Sequence, residues 1–367
     1  MKIFTVVSAL VAALATVSYA EDEAVAAGCA LSGTYSASTT ASVLKSCKSI
    51  AVSGLSVPGG TTLDLTALQD GSTVKFSGTT TFGVKKGFAG PLIAVSGNQV
   101  TIDGTGATLD GQGASYWDGK GSNTKVPKPK FFKSSKLTNS VVKGFKLLNT
   151  PVQAFSINQC QNSNFTSLTV DNKAGDALGH NTDAFDVGSS SGIIIRGATV
   201  YNQDDCLAVN SGTNILFTGG YCSGGHGLSI GSVGGRSDNT VQDVTISDSQ
   251  IVDSDNGVRI KTVSNAKGKV TGITYSNIQL KNIKKYGVVI EQDYLNGGPT
   301  GKPTDGVPIT HVTLNKITGS VAAKATNTYI LCAKGACSDW KFTGVTFTGG
   351  QHSQKCQNIP AGSGATC

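Results

Sequence analysis

The chain has 367 residues, 14% charged, 38% hydrophobic and 7% aromatic, with 47 glycines and 30 basic against 23 acidic side chains. So many apolar residues and so little charge exclude a disordered chain, and the surplus of Gly, Ser, Thr and Asn excludes a helical bundle or coiled coil. An all-β chain of strands and turns is expected, in one domain, because solenoids commonly exceed the length of an average domain.

At the N-terminus, Lys2, the apolar run from Ile3 to Val17 and the small-residue exit Ser18-Tyr19-Ala20 read as a secretory signal over residues 1–20. The run is too short to span a bilayer, and no second apolar stretch of spanning length follows. A short propeptide over 21–28, with its acidic stub Glu21-Asp22-Glu23, then leads to a mature domain over 29–367 that should be soluble and extracellular. Without residues 1–20 the balance is 29 basic against 23 acidic, or +6; without the stub as well it is 29 against 20, or +9. Such a charge suits a polyanionic partner, although lysines dispersed over a solvated surface give the same count.

Nine cysteines in a secreted chain imply disulfides with one thiol left over. Spacing pairs Cys29 with Cys47, Cys206 with Cys222, Cys332 with Cys337 and Cys356 with Cys367, and leaves Cys160 odd. Metal binding is the rival use of these residues, but His180, His226, His311 and His352 have no CxxC or HxxxH spacing near them, so no metal site and no cofactor are expected. Residues 36–50 carry Ala, Leu and Lys at helical spacing and are expected to form a short N-terminal capping helix.

From the middle of the chain onward, short β-favouring segments recur: Val141-Val142, Asn164-Phe165, Ile193-Ile194-Ile195, Ile215-Leu216-Phe217, Val244-Thr245-Ile246, Ile273-Thr274-Tyr275, Val312-Thr313-Leu314 and Lys341-Phe342. Many are followed, after a polar or glycine turn, by a further apolar position, as at Leu147, Val170, Val200 and Ile278. With Val142, Phe165, Ile195, Phe217, Ile246 and Tyr275 as anchors, the steps run from 22 to 30 residues, a solenoid period. A coil of that length with no room for a three-turn helix predicts a right-handed parallel β-helix with a rod-shaped core and capped ends. Asn149, Asn172, Asn202 and Asn282 fall between strands, where left-handed turns and side-chain ladders are expected of them. Asn164-Phe165-Thr166 is the one glycosylation sequon.

The chemistry concentrates between Asn181 and Lys261: Asn181-Thr182-Asp183, Asn202-Gln203-Asp204-Asp205, Gly225-His226-Gly227 and Arg259-Ile260-Lys261. Asp183 and Asp205 are 22 residues apart and Asp205 and His226 are 21 apart, each about one coil. Successive coils stack about 4.8 Å apart, so these side chains should meet. Three acids that close cannot all ionise freely, and at least one should keep its proton above the usual range, as a general acid requires. A lone Asp-Asp dipeptide would ordinarily be a solvated turn; its recurrence at coil spacing beside a histidine and an Arg-x-Lys pair is what points to a site. The glycines around His226 are expected to leave it open on a concave face, where it could set the charge of a neighbouring acid.

These four motifs, in this order and followed by Tyr294 in Glu291-Gln292-Asp293-Tyr294, resemble the signature of glycoside hydrolase family 28, the polygalacturonases, over nearly the whole mature chain. The resemblance implies a secreted, monomeric endo-acting enzyme that hydrolyses α-1,4 links between galacturonic acid units of de-esterified pectin with inversion. It implies Asp204 as the general acid, Asp183 and Asp205 as holders of the attacking water, and His226 as the group that tunes the acid. Arg259 and Lys261 would bind a substrate carboxylate, with Asn181 and Tyr294 completing the sugar site. Adjacent-coil stacking places the acids closer than the roughly 6.5–9.5 Å usual for inverting enzymes, so the stereochemistry rests on the resemblance alone. The expected partner is polygalacturonan, with no nucleic acid and no membrane. A calcium-dependent pectate-type lyase, a rhamnogalacturonan or exo-acting hydrolase, and a non-catalytic β-helix that binds cell walls are the competing readings.

Overall fold

The computed structural model describes residues 26, 28–296 and 298–367. The expected signal over 1–20 and most of the 21–28 segment lie outside the described residues.

Thirty strands, one ten-residue helix and two single-turn 3₁₀ segments make up the described chain. All strand pairings are parallel except Tyr294-Leu295 against Gly298-Pro299. Parallel strands joined coil after coil form a right-handed β-helix, the hand that parallel crossovers take. Its core is built from rows, one residue per coil. Ile50, Val74, Ile102, Val142, Phe165, Ile195, Phe217, Ile246, Tyr275, Leu314 and Phe342 stand in direct register from one end to the other. All six repeat anchors read from the sequence lie in this row. A second row runs through Leu109, Leu147, Val170, Val200, Cys222, Ile251 and Leu280. Ile278 is not in it: it stacks on Ser249, two residues early, because Lys269–Ile283 is a single continuous strand with no turn to reset the count. A third row joins Phe132, Phe155, Phe185, Leu207, Leu228, Val258 and Val288. Phe132–Phe155 and Phe155–Phe185 have ring centroids 5.3 Å apart, and Phe185 meets Phe217 of the first row edge-on at 6.3 Å, which ties two faces together.

The capping helix, α1, is Ala37–Ser46, capped by Ser36, whose Oγ accepts from Thr39 N at 3.3 Å. Thr40, Val43 and Leu44 are its buried face. It is shorter than expected: Cys47 leaves the helix extended and bridges to Cys29, and Ser49–Val57 is already a strand whose Ile50 and Val52 alternate inward. The other three disulfides pair as the spacing suggested, and Cys160 is free and buried. Burial pushes the Cys160 thiol up to about 11.

Of the four asparagines expected in left-handed turns, Asn149 and Asn282 adopt that conformation and Asn172 and Asn202 do not. The latter two are buried and spend their amides on neighbouring coils, which an αL turn at the surface would not allow. The side-chain ladder lies elsewhere: Asn162 donates to Asn139, and Asn139 donates to Asn98. Asn164 sits half-buried in a strand paired on both sides, to Val141 and to Ile194.

Candidate active site

The third row floors an open groove of about 1240 Å³. Asp183, Asp204, Asp205, His226, Asn181, Arg259, Lys261 and Tyr294 all line it, so the coil arithmetic brings every expected site residue together. Backbone pairing continues just ahead of the strands: Ala184 N donates to Asp205 O at 2.9 Å, and His226 N donates to Asp204 O at 2.9 Å. Asn202 fixes the reacting turn from within, its Nδ2 donating to the carbonyls of Thr182, Asp204 and Asp205 at 2.9–3.0 Å. It thereby has a share in the site that the sequence reading did not give it.

The glycines beside His226 serve a different purpose from the one expected. Gly225 and Gly227 both have positive φ, and a Cβ would fall 2.1 Å from Asp204 O at Gly225 and 2.2 Å from Asn256 O at Gly227. They let the His226 coil press against its neighbours, and the His226 ring itself is only partly exposed.

His226 Nδ1 lies 2.9 Å from Asp204 Oδ1, and Asp204 Oδ2 accepts from Asn181 Nδ2 at 3.1 Å. Asn181 Oδ1 in turn accepts from Ser122 N at 3.0 Å, which anchors the long loop forming one wall. Asp205 accepts from Ser229 Oγ at 2.7 Å and from Lys261 Nζ at 2.8 Å, with Asp205 2% and Lys261 6% exposed. Arg259 Nη2 contacts Glu291 Oε1 at 3.4 Å, and the Arg259 and Lys261 cations lie 5.8 Å and 5.4 Å from the Tyr294 ring centroid. Both basic residues that the resemblance assigned to a substrate carboxylate are therefore engaged with acids of the chain itself. One oxygen or nitrogen from each of Asp204, Asp205 and His226 lies within 4.8 Å of the others, a grouping that could hold a cation. The Lys261 ammonium already bound to Asp205 opposes a second positive charge there.

The acids take opposite charge states. Asp183 is driven well above the usual carboxylate range by burial first, then by the charges of Asp204, Asp186 and Asp205, with Lys261 offsetting part. Burial would raise Asp204 too, but the His226 hydrogen bond and charge, followed by Lys261, outweigh it and hold Asp204 well below the usual range. Burial pulls His226 down, and the same Asp204 contact with the Asp205 charge overcomes it, so the imidazole is raised. Of the trio, the acid that keeps its proton is Asp183, because Asp204 alone has a cationic hydrogen-bond partner.

Several residues at the site escaped the sequence reading. Asp186, three residues past Asp183, is raised to about 6, chiefly by burial and by Asp205 and Asp204, against Lys130 and Arg236. His180 Nδ1 stands 3.8 Å from Asp204 Oδ2, and Asp255 lies 3.7 Å from His226 Nε2 while pairing with Lys285 at 2.7 Å. Register arithmetic reaches Ser229: it stacks on Ala208, which stacks on Asp186. No spacing signal marks Lys130 or Arg236, which come from loops.

An acid pair split between protonated and ionised forms, in a groove on a parallel β-helix, defines a polysaccharide-cleaving acid–base enzyme. The sequence profile of glycosyl hydrolases family 28 matches residues 47–367, and the chain belongs to that family. It is 59% identical over 324 residues to endopolygalacturonase 1 of Colletotrichum lindemuthianum, covering 88% of each chain. Endopolygalacturonase I of Aspergillus oryzae is 56% identical over 334 residues, 90% of each chain. Among solved structures, endopolygalacturonase I from Stereum purpureum, complexed with two galacturonate, superposes with a TM-score of 0.78 at 35% identity, covering 90% of this chain and 99% of that one.

Proposed function

We propose that the chain is an endopolygalacturonase: it hydrolyses internal α-1,4 links of polygalacturonate with inversion, and it acts outside the cell as a monomer. The observation that carries the reading is the Asp204–His226 and Asp205–Lys261 pairing on the groove floor of a family 28 chain. Four disulfides support secretion, and Asn164 is the residue that a glycan would occupy.

In this reading Asp204 protonates the leaving glycosidic oxygen, and Asp183 with Asp205 orients and deprotonates the attacking water. The proton that Asp204 needs lies one hydrogen bond away, on the raised His226 imidazole. A polyanionic chain entering the groove adds negative charge, which raises every carboxyl group and favours transfer of that proton to Asp204. The incoming carboxylate also competes with Glu291 for Arg259, whose planar fork suits it.

Incubation with polygalacturonate in the presence of a chelator should release saturated oligogalacturonides of mixed length. Unsaturated, ultraviolet-absorbing ends that require calcium would replace this reading with a lyase, and binding without new reducing ends would replace it with a binding module. Asp204→Asn should lower kcat by roughly two to four orders of magnitude with little change in KM.

A further inference from the structure

The groove holds six Lys and Arg side chains, and three of them are already committed: Lys261 to Asp205, Arg259 to Glu291 and Lys285 to Asp255. The other three, Lys130, Lys133 and Arg236, form no ion pair with any described residue. Arg236 donates Nη1 to Ser232 O at 2.8 Å and to Gly234 O at 3.4 Å, which holds its guanidinium at the wall, and the acid facing Lys130 and Arg236 is Asp186. Lys133 belongs to the outward-facing floor row, in register with Ser156, Asp186 and Ala208 on successive coils. It therefore stands three coils from the Ala208 coil that carries Asp204, about 14 Å at the usual strand spacing.

Resting on the endopolygalacturonase reading, we propose that Lys130, Lys133 and Arg236 form a remote carboxylate-recognition station that engages a galacturonate unit well away from the cleaved bond. A regular polyanion laid along coils of regular spacing presents a carboxylate to this end of the groove whenever its middle is over Asp204. The committed cations must exchange an internal acid for the substrate, whereas these need displace only water, so the station contributes binding more than rate. Its distance exceeds what a trigalacturonide can reach while straddling the reacting bond, so only longer chains gain from it. The station makes the enzyme favour polymer over short products and makes a methyl ester at that remote unit costly.

The test compares Lys130→Gln/Lys133→Gln with the unaltered chain on polygalacturonate and on trigalacturonate, after thermal melts establish that both are folded. The polymer-to-trimer ratio of kcat/KM should fall by about tenfold or more, chiefly through the polymer KM, as for the loss of a charge-assisted contact. Lys133→Arg alone should keep the ratio, and the polymer KM of the double variant should depend less on salt than that of the unaltered chain. An unchanged ratio, or equal loss on both substrates, overturns the station while leaving the endopolygalacturonase reading intact. An unaltered chain inactive on both substrates removes that reading and the station with it.

Discussion

Asp186 is an acid whose charge the fold makes expensive. Its folded value of about 6 lies above the ordinary 3.8, so the folded chain binds more protons than the unfolded one between those values. The stability it contributes is present below about 3.8 and is lost as pH rises through about 6. Asp186→Asn should therefore melt higher than the unaltered chain at pH 7, with the difference shrinking as pH falls towards 4. A difference that does not vary with pH would mean that Asp186 does not titrate in this range. Lys261 is the opposite case, a cation whose removal strands a partner. Asp205 is 2% exposed, and breaking a buried pair from one side costs about 3–5 kcal/mol. Lys261→Ala should lower the melting temperature and kcat as well as raise KM. A KM effect at unchanged stability would make Lys261 a substrate contact only. From the sequence, both acids of this region and the Arg-x-Lys pair were legible as site residues, but which base held which acid was not, because Asp205 and Lys261 are 56 residues apart.

At the scale of the element, each strand is too short to be stable alone and owes its place to the rows above and below. Phe185 touches Phe155 in its own row and Phe217 in another, so Phe185→Ala should cost about 3–5 kcal/mol. Chemical denaturation measures this; a loss below about 1 kcal/mol would show that the rows relax around the gap. Gly225→Ala tests the close stacking at His226: its Cβ would meet a backbone carbonyl that cannot swing aside, so activity should fall even though no reacting group has changed. The repeat was legible where strands are long and apolar. The coils before Val141 were not, since strands such as Leu63–Leu65, Thr101–Asp103 and Thr108–Asp110 are three residues long and give alternation no room to show.

The whole molecule is one continuous parallel sheet wound into a rod, so a residue in its middle becomes accessible only when the coils on both sides open. Cys160 reports this. Its thiol is fully buried and held high in pKa, with Sγ donating to Asn158 O and Ser134 O at 3.5 and 3.6 Å. Native alkylation should be negligible and should rise with denaturant along the global unfolding transition. Rapid labelling below that transition would reveal local opening of the middle coils.

The sequence by itself determined the winding and the stacking. A recurring apolar residue every 22 to 30 positions can be buried only by coil on coil, and motifs at the same spacing are then carried to one face. Cysteine spacing settled the four bridges for a related reason: pairs close along the chain, or one coil apart, have few alternatives. Only the tertiary structure decided the charges. Whether an aspartate keeps its proton depends on burial and on which cation lies within hydrogen-bond reach, quantities summed over coils and loops distant in the chain. Asp183 and Asp204 look alike as letters, and the fold gives His226 to one of them and not to the other.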